Sequence, residues 1–271
     1  MTTMTKTVAL DDVGAVEISL EAAGEGEAFL LLHGGGGPDT MTRFAQRLAE
    51  SRPARVLVPT HPGFASTSRP EGLDTIRRLA ALYIALLDDL DLSDVTVIGN
   101  SIGGWITVEM ALIESPRIRG MVLIDAVGID VANQPVANFF TMGYDEFLER
   151  AFRNPDPFRM DPTRLSPAAQ AAAAANRSAL NTYTAGEMND PTLAERLGGL
   201  EIPTLVLWGD SDRIAGPEYG RAYANSIPMA RFQVLADVGH LPQVEKPDAV
   251  LDAIWNGGDT GSTRTGRGRD T

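Results

Sequence analysis

Short runs rich in branched apolar residues alternate with helix-length amphipathic runs along most of this chain, and that alternation restricts its fold more than any other feature. Strands alternating with helices build a mainly parallel sheet flanked by helices, the α/β class. Ala28–Leu32, Arg55–Pro59, Val95–Ile98, Gly120–Ile124, Thr204–Trp208 and Arg231–Leu235 read as strands. Helices are expected over Thr40–Ser51, Leu73–Leu90 with Asp74 as its N-cap, Ile102–Glu114, Pro217–Ser226 and Pro247–Trp255. The start differs: Thr7–Leu10 and Ala15–Leu20, joined by Asp11-Asp12-Val13-Gly14, read as an antiparallel hairpin at the sheet edge. The 271 residues are enough for one large domain with a small insertion.

The alternation lapses from about Gly128 to Leu200. That stretch holds prolines, an alanine-rich helical run near Pro167–Leu180, another near Thr192–Leu197, and no strand-like run. A helical insertion between two sheet strands reads as a lid or cap. The expected organisation is a core of residues 1–127 and 201–256, a helical cap over 128–200 and a disordered Gly/Ser/Thr/Arg-rich tail over 257–271.

Chemistry concentrates at three turns. In the first, the strand Val95–Ile98 runs into Gly99-Asn100-Ser101-Ile102-Gly103-Gly104 and then into a helix. Gly-x-Ser-x-Gly in that setting fits a nucleophile elbow. The serine backbone is strained there, and its neighbours two positions away must lack side chains that would collide. Its hydroxyl then projects at a helix N-terminus, where free N–H groups favour developing negative charge.

The second turn is Leu32-His33-Gly34-Gly35-Gly36-Gly37-Pro38, four glycines directly after a buried strand. Acyl transfer needs donors aimed at an oxyanion. The expected pair is the N–H of Ile102 and that of Gly35, with Gly36 as runner-up. A phosphate loop does not fit, because no Lys-Ser/Thr follows and the spacing is not GxGxxG.

The third region supplies a base and an acid. Of three histidines, His33 and His61 precede the serine, and His240 alone follows it. The order Ser, acid, His therefore selects His240 as general base. Asp210 and Asp212 follow the strand Thr204–Trp208. Asp212 lies further into the loop and is the expected orienting acid, whereas Asp210 reads as a turn former bonding local backbone. Asp125, after Gly120–Ile124, is the second choice.

Composition narrows the partners. With no cysteine, disulfides, thiolate chemistry and Cys-based metal sites are excluded. A net charge of −13 disfavours nucleic acid and anionic membranes. No apolar run reaches bilayer-spanning length, and MTTMTKTVAL lacks a signal-peptide pattern, so the cytoplasm is the expected location. The expected partner is a small-molecule substrate, and self-association into a homo-oligomer stays open.

Together these ordered motifs resemble the α/β-hydrolase family over nearly the whole chain. The resemblance implies an eight-stranded, mostly parallel sheet with a helical cap and a Ser-His-Asp mechanism needing no metal or cofactor. His33-Gly34-Gly35-Gly36-Gly37-Pro38 with Asn100 before the serine is similar to the meta-cleavage product hydrolases, which cut carbon–carbon bonds in aromatic ring-fission products. That likeness implies substrate-binding roles for Asn100 and for a cap arginine holding a carboxylate, with Arg177 where such an arginine would fall. Leu241-Pro242 stands where that branch tends to carry tryptophan, Arg43 lies in the region where it carries asparagine, and His61 replaces a more usual acidic residue.

The expected activity is therefore cleavage of a small ester or lactone through an acyl-enzyme. Carbon–carbon hydrolysis is the alternative, and a ligand-binding receptor on the same fold is the alternative of another class. Phe139, Phe140, Met142, Phe147 and Phe152 are the apolar cap candidates for substrate selection.

Overall fold

The computed structural model describes residues 1–160 and 165–257. The tail expected to be disordered lies, from 258 onward, outside them.

Eight strands form one sheet in the order β1-β2-β4-β3-β5-β6-β7-β8. β1 (Thr2–Leu10) and β2 (Gly14–Ala23) are the edge hairpin, longer than the sequence suggested. β2 also pairs antiparallel with β4 (Ala54–Pro59). β3 (Glu27–Leu32), β5 (Val95–Asn100), β6 (Ile118–Ile124), β7 (Thr204–Gly209) and β8 (Ala230–Leu235) complete it with parallel pairings. The strands of this interior read as unbroken apolar runs because both faces are covered. Along β3, Leu30 and Leu32 join one apolar cluster, and Phe29 and Leu31 join the other.

The first cluster packs under α2 (Ile76–Asp89), α3 (Ile102–Ala111) and α7 (Pro217–Asn225). The second packs under α1 (Asp39–Ser51) and α9 (Pro247–Gly257). Two helix ends differ from the sequence reading. Thr75, not Asp74, caps α2, its hydroxyl accepting the Arg78 N–H at 3.2 Å, while Asp74 pairs with the Arg78 guanidinium. α3 stops at Ala111 rather than Glu114, because Pro116 disfavours helix in the residue before it and Glu114 turns left-handed at φ 57°.

Between β6 and β7 lie α4 (Tyr144–Ala151), α5 (Pro167–Thr184) and α6 (Leu193–Leu197). Buried Glu109 of α3 ties α6 to the core through both terminal nitrogens of Arg196, at 2.9 and 2.6 Å. A further short helix, α8 (Pro242–Glu245), precedes α9. No described helix is long and apolar enough to cross a membrane.

Candidate active site

Everything of chemical interest gathers at the carboxyl ends of the parallel strands, where a doubly wound sheet leaves its loops free. Ser101 links β5 to α3 with φ 56° and ψ −120°. Its N–H donates to Ile124 O at 3.0 Å, and its carbonyl accepts from Gly104, Trp105 and Val127. Four residues, from β6, the loop after it and α3, thus hold a conformation that is costly for a residue with a Cβ. The flanking glycines are needed for space. A Cβ on Gly99 would stand 2.2 Å from Gly103 O, and one on Gly103 would stand 2.1 Å from Leu32 O.

His240 follows β8, and its Nδ1–H donates to Asp212 Oδ2 at 2.8 Å. Asp212 Oδ1 accepts the N–H groups of Ile214 and Ala215 at 2.7 and 3.2 Å. All three side chains are buried, and Ser101 and His240 line the same cavity. The structure thus pairs His240 with Asp212 and sets Ser101 and His240 on the wall of one cavity, with no hydrogen bond between the Ser101 hydroxyl and His240 among the described residues. Asp210 instead holds the N–H groups of Asp237 and Val238, pinning the loop that leads to His240. Asp125 makes no hydrogen bond to His240 and sits behind Asp212, with Oδ1 on the Gly209 N–H at 2.9 Å.

The glycine loop stands across the cavity from His240. Gly37 N–H bonds Gly34 O at 3.1 Å, so Gly35 and Gly36 are the central residues of a tight turn and line the cavity with Gly34 and Ile102. The Ile102 N–H belongs to the first turn of α3 and has no intrahelical acceptor. Beneath the loop lies a directional network. Tyr83 O–H donates to His61 Nδ1 at 2.5 Å, and His61 Nε2–H donates to His33 O at 2.9 Å. His61 N–H donates to His33 Nε2 at 3.1 Å, and His33 Nδ1–H donates to Gly34 O at 2.8 Å. Burial holds both imidazoles neutral: it drives His61 down to about 4 and His33 well below the usual histidine range, where the neighbouring His61 adds to the effect.

Two residues expected to bind substrate have other partners. Asn100 is buried yet lines the cavity; its Nδ2 donates to Ile124 O at 3.1 Å and His240 O at 3.0 Å, fixing the His240 loop to the elbow, while its Oδ1 has no partner among the described residues. Arg177 is not among the residues that line the cavity and its guanidinium is engaged by backbone carbonyls, against the expectation of a carboxylate clamp. Its Nη1 bonds Phe139 O and Phe140 O at 3.0 and 3.1 Å, Nη2 bonds Met142 O at 3.4 Å, and the guanidinium lies 5.1 Å from the Phe139 ring centroid. An arginine among unpaired carbonyls satisfies them in place of water.

The cavity measures about 470 Å³. Phe139, Phe147 and Phe152 line it as expected, whereas Phe140 and Met142 do not. Phe158, Leu180 and Ile214 also line it and were not anticipated. Sequence reading also missed α4, whose last residue accepts the His240 N–H (Ala151 O, 2.7 Å). Its signal is present: Phe147, Leu148 and Ala151 at helical spacing, with acids in the first turn and Arg150 in the last. One donor atom each from Asp125, Asp212 and His240 falls within 4.8 Å of the others. Asp212 and His240 already bind each other, so a metal ion there would have to break that bond.

A family model described as the alpha/beta hydrolase family matches residues 29–253, and the chain belongs to that family. Among its relatives, Lipase 1 of Psychrobacter immobilis is 30% identical over 243 residues, 84% of this chain and 75% of that one. The 2-hydroxy-6-oxo-6-phenylhexa-2,4-dienoate hydrolase of Burkholderia cepacia is 28% identical over 281 residues, 94% and 98% of the two chains. A solved thermophilic esterase from Thermogutta terrifontis superposes with a TM-score of 0.74 at 26% identity, covering 94% of this chain and 97% of its own. The chain is a hydrolase with the α/β-hydrolase fold.

Proposed function

We propose that this hydrolase cleaves neutral, largely apolar carboxylic esters through an acyl-enzyme on Ser101. His240 takes the Ser101 proton as the hydroxyl oxygen attacks the ester carbonyl, and Asp212 holds the imidazole in the required tautomer and balances its charge. The oxyanion rests on the N–H groups of Ile102 and Gly35. His240 then returns the proton to the departing alkoxide. Water, deprotonated by the same base, releases the acid and restores Ser101.

One observation carries the choice of ester over ring-fission product. The cavity wall is aromatic and aliphatic, and among the described residues no arginine or lysine lines it, while Asp39 does. A dienoate carboxylate moved from water onto such a wall stays unpaired, which costs several kcal/mol. A neutral ester meets no such penalty and gains from burying its apolar groups.

The test compares wild type with Ser101→Ala on aryl and alkyl esters, lactones and dienoic keto-acids. Wild type is expected to hydrolyse the esters and to react rapidly with a fluorophosphonate. Ser101→Ala should lose at least about 10³-fold in kcat and all labelling. Dienoate turnover exceeding ester turnover would overturn the substrate class, and unlabelled wild type would overturn the nucleophile.

A further inference from the structure

Asp125 is a second buried carboxyl beside the site, and ester cleavage as described gives it no part. It follows β6 directly, turned left-handed at φ 45°, with its N–H on Leu207 O at 3.0 Å. It is completely buried, and only Oδ1 receives a hydrogen bond, from the Gly209 N–H; Oδ2 receives none among the described residues. One carboxyl oxygen of Asp125 lies within 4.8 Å of one of Asp212 and of a ring nitrogen of His240, all three side chains being buried. The Asp212 oxygens accept from His240, Ile214 and Ala215. The titratable groups that face Asp125 are therefore Asp212, His240 and, from α8, Glu245, which itself binds the Gly239 N–H at 2.6 Å.

Two ionised carboxylates buried this close together repel strongly. An unpaired carboxylate oxygen in the interior is costly as well. A single proton shared between the two carboxyls removes both penalties. We propose that Asp125 is a positioning residue held as the neutral acid, donating its proton to the Asp212 carboxylate that orients His240. This rests on reading Asp212 and His240 as orienting acid and base. Burial, and after it the Asp212 charge, pushes the Asp125 carboxyl well above the usual carboxylate range, in keeping with that geometry.

The consequence is chemical. The pair carries one negative charge spread over two carboxyls, so the His240 imidazolium formed during attack faces one counter-charge rather than two. Asparagine imitates the neutral acid at position 125: its oxygen can accept the Gly209 N–H, and its amide can donate to Asp212.

The experiment measures kcat/KM against pH for wild type, Asp125→Asn and Asp125→Leu, with infrared difference spectra of wild type minus Asp125→Asn at pH 7. The acidic limb should keep its wild-type position in Asp125→Asn. In Asp125→Leu it should move to higher pH, because an Asp212 without its donor holds the His240 proton more tightly. The spectrum should contain a protonated-carboxyl C=O band. The absence of that band, or an Asp125→Asn limb displaced about one unit to lower pH, would show that Asp125 is an anion and overturn the inference. An unmoved limb in Asp125→Leu would reduce Asp125 to packing. Should Asp125→Leu not fold, the asparagine limb and the infrared band decide. The band needs no turnover, so it reads Asp125 even if ester hydrolysis fails.

Discussion

Acidification should destabilise this fold through His61 before most of its carboxylates titrate. In the folded chain His61 is enclosed between His33 and Tyr83, and burial lowers its pKa from 6.5 to about 4. An unfolded chain binds a proton there near pH 6.5, while the folded chain stays neutral until about pH 4. The unfolded state therefore holds more protons throughout that window. Stability is complete above 6.5, falls as pH drops through the window, and levels off below 4. Each pH unit costs at most about 1.4 kcal/mol per histidine, so His61 alone removes about 3 kcal/mol by pH 4. That is a large part of the roughly 5–15 kcal/mol that holds a typical domain. The assay is urea unfolding of wild type and His61→Gln at half-unit steps from pH 7 to 4.5. His61→Gln should be less stable at pH 7, because the His33 and Tyr83 bonds are lost, but it should lose less on acidification. His33 remains in both proteins but loses the part of its lowering that His61 causes, so the difference in slope reads His61 together with its effect on His33. Parallel stability curves would refute the reasoning.

Two other substitutions probe the remaining geometry. Gly103→Ala places a methyl group against the backbone oxygen of Leu32, which cannot swing aside; a loss of about 1–3 kcal/mol by thermal melting, with a lower kcat as the glycine loop shifts, is expected. Arg177→Ala frees three carbonyls of the 139–142 loop and should cost about 1–3 kcal/mol of stability while leaving KM for neutral esters unchanged. A rise in KM confined to carboxylate-bearing substrates would restore Arg177 to the binding site.

The sheet was legible because its strands are short, apolar and bounded by turn residues, so period and punctuation agreed at Val95, Gly120 and Thr204. The Ser101 elbow and the eligibility of His240 were legible for a different reason: each depends on local chain geometry and order. What sequence could not supply was direction. Arg177 lies on the anticipated helix, but whether it faces substrate or carbonyls depends on how the 139–142 loop crosses α5. Asn100 carries the same ambiguity, since a buried amide beside a nucleophile serves substrate or backbone according to which carbonyls pass within reach. α4 escaped notice because its eight residues carry a single short apolar stripe between glycine and proline. The His33–His61–Tyr83 network joins residues 22 and 28 positions apart, a pairing no local pattern encodes.

Asn176 of α5 bears on how this enzyme can be altered. Its Nδ2 donates to Gly36 O at 3.2 Å, and its Oδ1 accepts the Ala65 N–H at 2.7 Å. One side chain of the helix that helps wall the cavity is therefore also a strut of the glycine loop to which the proposed mechanism assigns the oxyanion. Acyl size and oxyanion placement are not independent variables. Grafting a foreign cap to change selectivity would replace a support of the catalytic loop along with the cavity wall. A graft that keeps an asparagine at this point of α5 should retain turnover on small esters, whereas one that omits it should lose rate even where the new cavity fits its substrate.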